Sequence, residues 1–264
     1  MNDVATTTEP RTITIAGASI EISDRGKGSP VLFLHSSQGV AQANPFLDLL
    51  AKKHRVIAPS HPGFGRSTLP DWVDSVDDIA HIYLELMDRL DLKSADMIGC
   101  SIGGWIAADV ASKAPERLKH LVLVGPVGVK TGKVEKLDVP DIFAMPQDKL
   151  NALVYHDPKK SAPDFKTLPE PDLQAFVRNR ETLALIGWEP YMHNPKLKHR
   201  LHRVTSPTLF ARGASDGLVS AEYLAAYAAL LPKARTVTVA DAGHVPHIEQ
   251  PDKFAATVLE FLAA

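Results

Sequence analysis

The sequence predicts an α/β fold: a mostly parallel sheet with helices on both faces, interrupted once by a helical insertion. Three observations carry this. Short apolar runs alternate with amphipathic stretches of helical length through most of the chain, the rhythm of strand–helix–strand crossovers. That rhythm stops after Val124 and resumes at Pro207. With 264 residues, 45% hydrophobic and 23% charged, the chain suffices for one large core and has an ordinary globular composition.

The elements follow in order. Residues 11–23 (RTITIAGASIEIS) alternate apolar and polar around Gly17, which predicts a hairpin at a sheet edge. Residues 30–35 (PVLFLH) form a short apolar run bounded by turn residues, the pattern of a strand buried on both faces. Residues 44–53 read as helix and 55–59 as strand. In residues 76–90, Ile79, Ile82, Tyr83, Leu86, Met87 and Leu90 recur at three- and four-residue spacing, one apolar stripe of an amphipathic helix. Residues 94–99 read as strand, 102–114 as helix and 118–124 as a clean apolar strand.

Residues 126–205 are rich in Pro, Asp, Lys and His. Helical pieces are expected at 148–155 and 172–186, with no buried strand. A segment of this length is too long for an ordinary connection, so it predicts a lid or cap. The rhythm then returns with a strand at 207–212, a helix at 221–231, a strand at 235–240 and a helix at 251–262, eight strands in all.

Charge and cysteine content narrow the function classes. A net charge of -2 offers no basic surplus for nucleic acid, and no Lys/Arg-rich block suggests a membrane surface. The single cysteine, Cys100, rules out an internal disulfide framework and a Cys-based structural zinc site. The 11 histidines include no HxH or HExxH spacing, so no metal is expected. The opening stretch MNDVATTTEPRT lacks the basic and apolar regions of a signal peptide. No apolar run approaches the ~20 residues that span a bilayer. The expected location is the cytoplasm.

Gly99-Cys100-Ser101-Ile102-Gly103 fits G-x-S-x-G between a strand and a helix, the context that gives this motif chemical meaning. A sharp turn there forces Ser101 into a strained conformation with its hydroxyl projecting from the sheet edge. Gly99 and Gly103 lack the Cβ atoms that would collide as strand and helix close. Cys100 lies one position off and reads as a small buried apolar side chain. A serine hydroxyl needs a base, and the base an orienting acid. The loop after strand 207–212 carries Asp216, and the loop after strand 235–240 carries His244. The order Ser, Asp, His is that expected for such an elbow. Asp241 is a competing acid, and Gly125-Pro126-Val127-Gly128 offers none after the preceding strand.

Five motifs now resemble the α/β-hydrolase fold family across nearly the whole chain: LHSSQG (34–39), HPGFGRS (61–67), GCSIGG (99–104), GASDGLV (213–219) and GHVPHIEQP (243–251). The resemblance points to a capped branch that includes carboxylesterases and meta-cleavage-product hydrolases. It implies a core of residues 1–125 and 206–264 and a helical cap at 126–205. It implies a triad of Ser101, Asp216 and His244, with backbone N–H groups of Ser37 and Ile102 as oxyanion hole and no cofactor. His35 would support the oxyanion loop, and Glu249 matches a structural position. Ser36 stands where the family has glycine, and Ser60 where it usually has an acid. His247 is expected at the core edge or in solvent, with the pocket mouth as the alternative.

The expected activity is cleavage of a small carboxylic ester or lactone through an acyl-enzyme on Ser101. Members with an aspartate nucleophile do different chemistry and are excluded by Ser101. Two rival readings stand. One is C–C bond hydrolysis of a meta-cleavage-type vinylogous diketone, for which Arg178, Arg180, Lys196 and Lys198 would offer a hold on substrate carboxylates. The other is a slow-turnover ligand receptor on the same fold. Phe143, Met145, Trp188, Tyr191, Met192 and His193 are expected to line the pocket under the cap, with the equal alternative that Trp188 pins the cap to the core. The expected partner is a small-molecule acyl substrate, with no nucleic acid or membrane, and a homodimer is left open.

Overall fold

The computed structural model describes residues 10–133 and 135–264. The first nine residues of the amino-terminal stretch read above therefore lie outside the described residues.

Two strands, β1 (Arg11–Ile15) and β2 (Ala18–Arg25), form the expected hairpin through a two-residue turn at Ala16–Gly17. The rest follows in alternation: β3 (Pro30–Leu34), α1 (Asn44–Ala51), β4 (Arg55–Pro59), α2 (Val76–Arg89), β5 (Ala95–Cys100), α3 (Ile102–Lys113) and β6 (Leu118–Val124). Between β6 and the next strand lie α4 (Gln147–Val154), α5 (Pro158–Ser161) and α6 (Glu170–Gly187). The chain ends with β7 (Thr208–Gly213), α7 (Ala221–Ala228), β8 (Ala234–Val239), a short α8 (Pro246–Glu249) and α9 (Pro251–Leu262). All eight strands join one sheet in the order β1-β2-β4-β3-β5-β6-β7-β8. Only β1/β2 and β2/β4 pair antiparallel.

The period of two along each strand divides the core between the two faces. Leu32, Leu34, Ile57, Met97, Leu121, Leu123 and Phe210 pack with α2, α3 and α7 on one face. Val31, Phe33, Val56, Ile98, Cys100, Val122, Val124 and Ala211 pack with α1 and α9 on the other. Both faces are covered, which is why the central strands read as unbroken apolar runs rather than alternating ones. Helix α3 is buried along nearly its whole length, so its sequence shows no polar face. Helix α2 starts where Ser75 accepts a hydrogen bond from the Asp78 N–H and donates its own hydroxyl to the Asp78 carboxylate, a sequence-local cap.

The segment between β6 and β7 is helical, as its composition predicts, and its longest helix covers the 18 residues of α6. Its entry and exit lie side by side: Gly128 N–H donates to Met192 O at 2.9 Å and Asn194 N–H to Gly128 O at 2.9 Å. No helix among the described residues is long and apolar enough to cross a membrane.

Cys100 ends β5 on the α1/α9 face, 1% exposed, with its thiol pKa pushed far up by burial. The native protein should resist a thiol reagent such as DTNB and react fully once denatured; rapid native labelling would contradict this packing.

Candidate active site

Ser101 sits at the junction of β5 and α3 with φ 54° and ψ -114°, outside the regions most side chains adopt. Its N–H donates to Val124 O at 2.8 Å, and its carbonyl accepts from Gly104 and Trp105. These bonds hold the strained residue between β6 and the first turn of α3. A Cβ on Gly99 would strike Ala107 Cβ at 2.8 Å and the Gly103 carbonyl; one on Gly103 would strike the Leu34 and His35 carbonyls. The two glycines are thus required by close approach, as the sequence motif implied.

Asp216 and His244 meet at the carboxyl ends of β7 and β8. His244 Nδ1–H donates to Asp216 Oδ2 at 3.0 Å. The other carboxylate oxygen, Oδ1, accepts the N–H groups of Leu218 and Val219, both at 2.9 Å. Burial alone would raise this carboxyl. The His244 charge, the His244 hydrogen bond and the two backbone donors outweigh burial and bring it below its ordinary value. Asp241, the competing acid, is exposed and pairs with Lys253 at 3.4 Å. His244 Nε2 is buried and has no hydrogen-bond partner among the described residues. It and Ser101 line the same cavity of about 430 Å³, together with Ser36, Ser37 and Ile102. Catalytic hydrogen bonds of this kind often tighten only in the substrate complex.

Gly125, at the end of β6, is the residue that makes room for this pair. Its φ is +48°, and a Cβ there would lie 2.9 Å from His244 Nδ1 and 3.2 Å from Asp216 Oδ2. In the sequence it was notable only for offering no carboxylate.

The loop after β3 is held by two stacked histidines whose centroids are 3.8 Å apart. His35 Nε2 accepts the His61 N–H at 2.9 Å, so its proton sits on Nδ1 and is donated to Ser36 O at 2.5 Å. His61 Nε2–H donates to His35 O at 2.8 Å, which leaves Nδ1 to accept the Tyr83 hydroxyl. Burial holds His35 down at about 4, against the rise that its bond to Ser36 brings. Burial, and then the neighbouring His35, hold His61 well below the ordinary value. Ser36 does not have positive φ, so a glycine is not needed there. Its carbonyl accepts the Gly39 N–H and its hydroxyl faces the Gln38 N–H at 3.3 Å, engaging it in the loop's own turn. The missing acid at Ser60 is supplied from β2: Ser60 Oγ donates to Glu21 Oε2 at 3.3 Å.

The cavity wall takes Met192 but not Phe143, Met145, Trp188, Tyr191 or His193. Tyr191 donates to Pro140 O and accepts the Ile142 N–H, and the rings of Phe143, Trp188 and Tyr191 pack on one another at 5.7–6.4 Å between centroids. This cluster ties the loop before α4 to the end of α6, with Trp188 55% exposed. The wall comes instead from one face of α4 and one of α6: Gln147, Leu150, Asn151 and Val154, then Tyr155 just past α4; and Asp172, Phe176, Asn179, Arg180 and Leu183. Their three- and four-residue spacing was visible in the sequence, but not which face would turn inward. Of the basic cap residues only Arg180 reaches the wall; Arg178 donates to Gly65 O and Ser67 O. His247 is neither solvated nor at the edge. The α8 turn buries it against Phe33 and Phe46, and burial, reinforced by His244, lowers its pKa to about 3.

The model of the alpha/beta hydrolase family matches residues 31–257, most of the chain. The chain belongs to the alpha/beta hydrolase family. It is 30% identical over 285 residues to 2-hydroxymuconate semialdehyde hydrolase of Pseudomonas sp. (strain CF600), covering 96% of this chain and 93% of that protein. It is 28% identical over 250 residues to the pimeloyl-(acyl-carrier protein) methyl ester esterase of Photobacterium profundum, covering 90% and 96%. The crystal structure of a meta-cleavage product hydrolase (CumD) mutant superposes with a TM-score of 0.78 at 24% identity, covering 96% of this chain and 97% of that one. A thermophilic esterase from Thermogutta terrifontis superposes at 0.77 and 23%, covering 97% and 98%. At those identities the structures show the shared fold.

Two outcomes test this α/β-hydrolase site. Gly125→Ala should cost about 1–2 kcal/mol for the left-handed backbone and lower kcat at least about tenfold by displacing His244; unchanged kinetics would contradict the fit. The buried neutral histidines set an acid limit. His35 protonates near 6.5 when unfolded and at about 4 when folded, so stability is complete above pH 6.5 and falls toward pH 4. His35 alone then withdraws about 3 kcal/mol. A denaturation midpoint that stays flat from pH 7 to pH 4 would contradict this.

Proposed function

We propose that this α/β-hydrolase is a serine hydrolase that cleaves small carboxylic esters or lactones through an acyl-enzyme on Ser101. The observation that carries the reading is the buried Asp216–His244 pair at 3.0 Å, whose histidine lines one cavity with a serine at φ 54°. Ser101 Oγ attacks the carbonyl while His244 Nε2 takes its proton. Asp216 keeps the imidazole proton on Nδ1 and stabilises the imidazolium. The tetrahedral oxyanion is held by the N–H of Ile102, free at the start of α3, and by that of Ser37. Collapse breaks the C–O bond, and His244 returns the proton to the leaving alcohol. Water then attacks the acyl-enzyme by the same steps in reverse. The segment between β6 and β7 acts as a lid that roofs Ser101 and shapes the substrate site. The same reading has the enzyme act on a small molecule in the cytoplasm.

One observation favours a second reading, C–C bond hydrolysis of a vinylogous diketone acid. Arg180 on the cavity wall offers a cation for a substrate carboxylate, and a relative at 30% identity is named for that class of substrate. Against it, the guanidinium already donates to Ile142 O at 2.8 Å and lies 5.5 Å from the centre of the Phe143 ring.

Turnover of p-nitrophenyl acetate and of a dienoic ring-fission product separates the two readings. Ester cleavage should be the faster, and the reverse would favour the second. Ser101→Ala should lose at least about 10⁴-fold in kcat with the fold intact. A dead Cys100→Ser beside an active Ser101→Ala would overturn the assignment.

A further inference from the structure

We infer that Asn179 on α6 is a substrate-recognition residue, whose side-chain N–H donates to an oxygen carried on an arm of the substrate. This rests on the serine-hydrolase reading and names the substrate class within it. Asn179 is 4% exposed. It lines the cavity that Ser101 lines, and also a second cavity of about 570 Å³ alongside the loop after β3. The two cavities share Gln38, Ala41, Asp172, Ala175 and Asn179, so Asn179 stands where they meet. Its two amide atoms have different tasks. Oδ1 accepts the Gly65 N–H at 2.9 Å. That donor fixes the amide, because turning it over would set N–H against N–H. Nδ2 therefore points away from Gly65, and it donates to nothing among the described residues. It is not one of the sealed polar atoms, so its surface opens on the cavities that the residue lines. A Cβ on Gly39 would lie 3.3 Å from Nδ2, so the glycine lets the amide approach the loop without covering it.

The donor is also held still. On either side of it in the sequence, Arg178 donates to Gly65 O and Ser67 O, and Thr182 to Gly63 O. A donor fixed before the ligand arrives loses little freedom on binding. An N–H in that place asks for an acceptor. Water can meet it in the empty cavity, but a substrate that displaces the water must replace the bond. A CH₂ group at the junction cannot do so, and an oxygen can. The position sets the reach. Gly39 is two residues from Ser37, at most about 7 Å between Cα atoms, so the oxygen sits about four or five bonds from the scissile carbonyl. Glu21, Arg25, Arg66 and Arg178 line the second cavity beyond, polar surroundings for the end of such an arm. The substrate class is an ester or lactone bearing an ether, hydroxyl or carbonyl oxygen at that distance.

Paired esters in which one CH₂ becomes O test this on either arm. For the acyl arm, methyl 4-methoxybutanoate and methyl 5-methoxypentanoate are set against methyl hexanoate and methyl heptanoate. For the alcohol arm, 2-methoxyethyl and 3-methoxypropyl acetate are set against butyl and pentyl acetate. Asn179→Asp keeps the acceptor for the Gly65 N–H and replaces the free donor by an acceptor. For each pair, the O-to-CH₂ ratio of kcat/KM in the native enzyme is divided by the same ratio in Asn179→Asp, so intrinsic reactivity and general damage cancel. At pH 8 this quotient should reach about fivefold or more for at least one pair, and the arm that shows it is the arm that passes Asn179. Asn179→Ala, which loses the donor without adding a charge, should move the quotient the same way. Quotients near one for every pair in both variants overturn the inference, as a purely structural Asn179 would give. So does a quotient raised by Asn179→Asp but not by Asn179→Ala, the mark of a charge effect. Hydrolysis of none of these esters above the level of Ser101→Ala would instead overturn the serine-hydrolase reading, and this inference with it.

Discussion

The molecule is organised around a backbone constraint at one residue. Ser101 must hold φ 54° where β5 hands over to α3, and the approach of strand and helix there leaves no room for a Cβ at Gly99 or Gly103. Such a conformation persists only when its surroundings over-determine it. Here they do so from three sides: β6 accepts the Ser101 N–H, α3 is bonded to its carbonyl, and the carbonyls of Leu34 and His35 close over Gly103. The parallel sheet is what brings these together, since β3, β5 and β6 are neighbours and all end at the same edge. The two packed faces of that sheet supply the rigidity.

Asp216 and His244 reach the same edge from strands more than 100 residues later, and the segment between β6 and β7 helps to hold them there. The last turn of α4 is bonded to both loops. Gly217 N–H donates to Leu153 O and His244 N–H to Val154 O. Glu249 gathers three further donors, the N–H groups of Gly243, His156 and Asp157. Helix α6 is tied on the opposite side: Thr182 donates to Gly63 O, and Asn179 accepts the Gly65 N–H. The segment whose helices line the cavity is therefore part of the frame that holds Asp216 and His244 in place.

A second device works by neutrality. His35 and His61 are buried, stacked and uncharged, and each has its tautomer set by a partner that can only donate or only accept. Two cations at that separation in a dry interior would repel strongly. Kept neutral, they act as a rigid link from Tyr83 on α2 to the Ser36 carbonyl. The loop that carries Ser37 is thus fixed by hydrogen bonds that need no charge.

Much of this was legible in the sequence. Strand and helix positions follow from local periodicity: the central strands fell where unbroken apolar runs put them, because both sheet faces are covered there, and the edge hairpin where residues alternate. The meeting of Asp216 and His244 at the edge that carries Ser101 was readable because a triad would need those residue types at strand ends in that order. The elbow glycines were readable because only a missing Cβ permits the turn. The segment between β6 and β7 was legible as helical, but its inner face was not. Aromatic residues at 143, 188 and 191 looked like a pocket and proved to be a staple, while Gln147, Asn151, Tyr155 and Asn179 turned inward. Which face of a lid helix looks down depends on how that helix packs on distant loops, and no local pattern encodes it. The same holds for Gly125, for the Glu21 carboxylate standing in beside Ser60, and for the burial of His247. Local spacing determined the elements and the identity of the candidate triad. Contacts between residues far apart in the chain decided the shape and polarity of the cavity that Ser101 and His244 line.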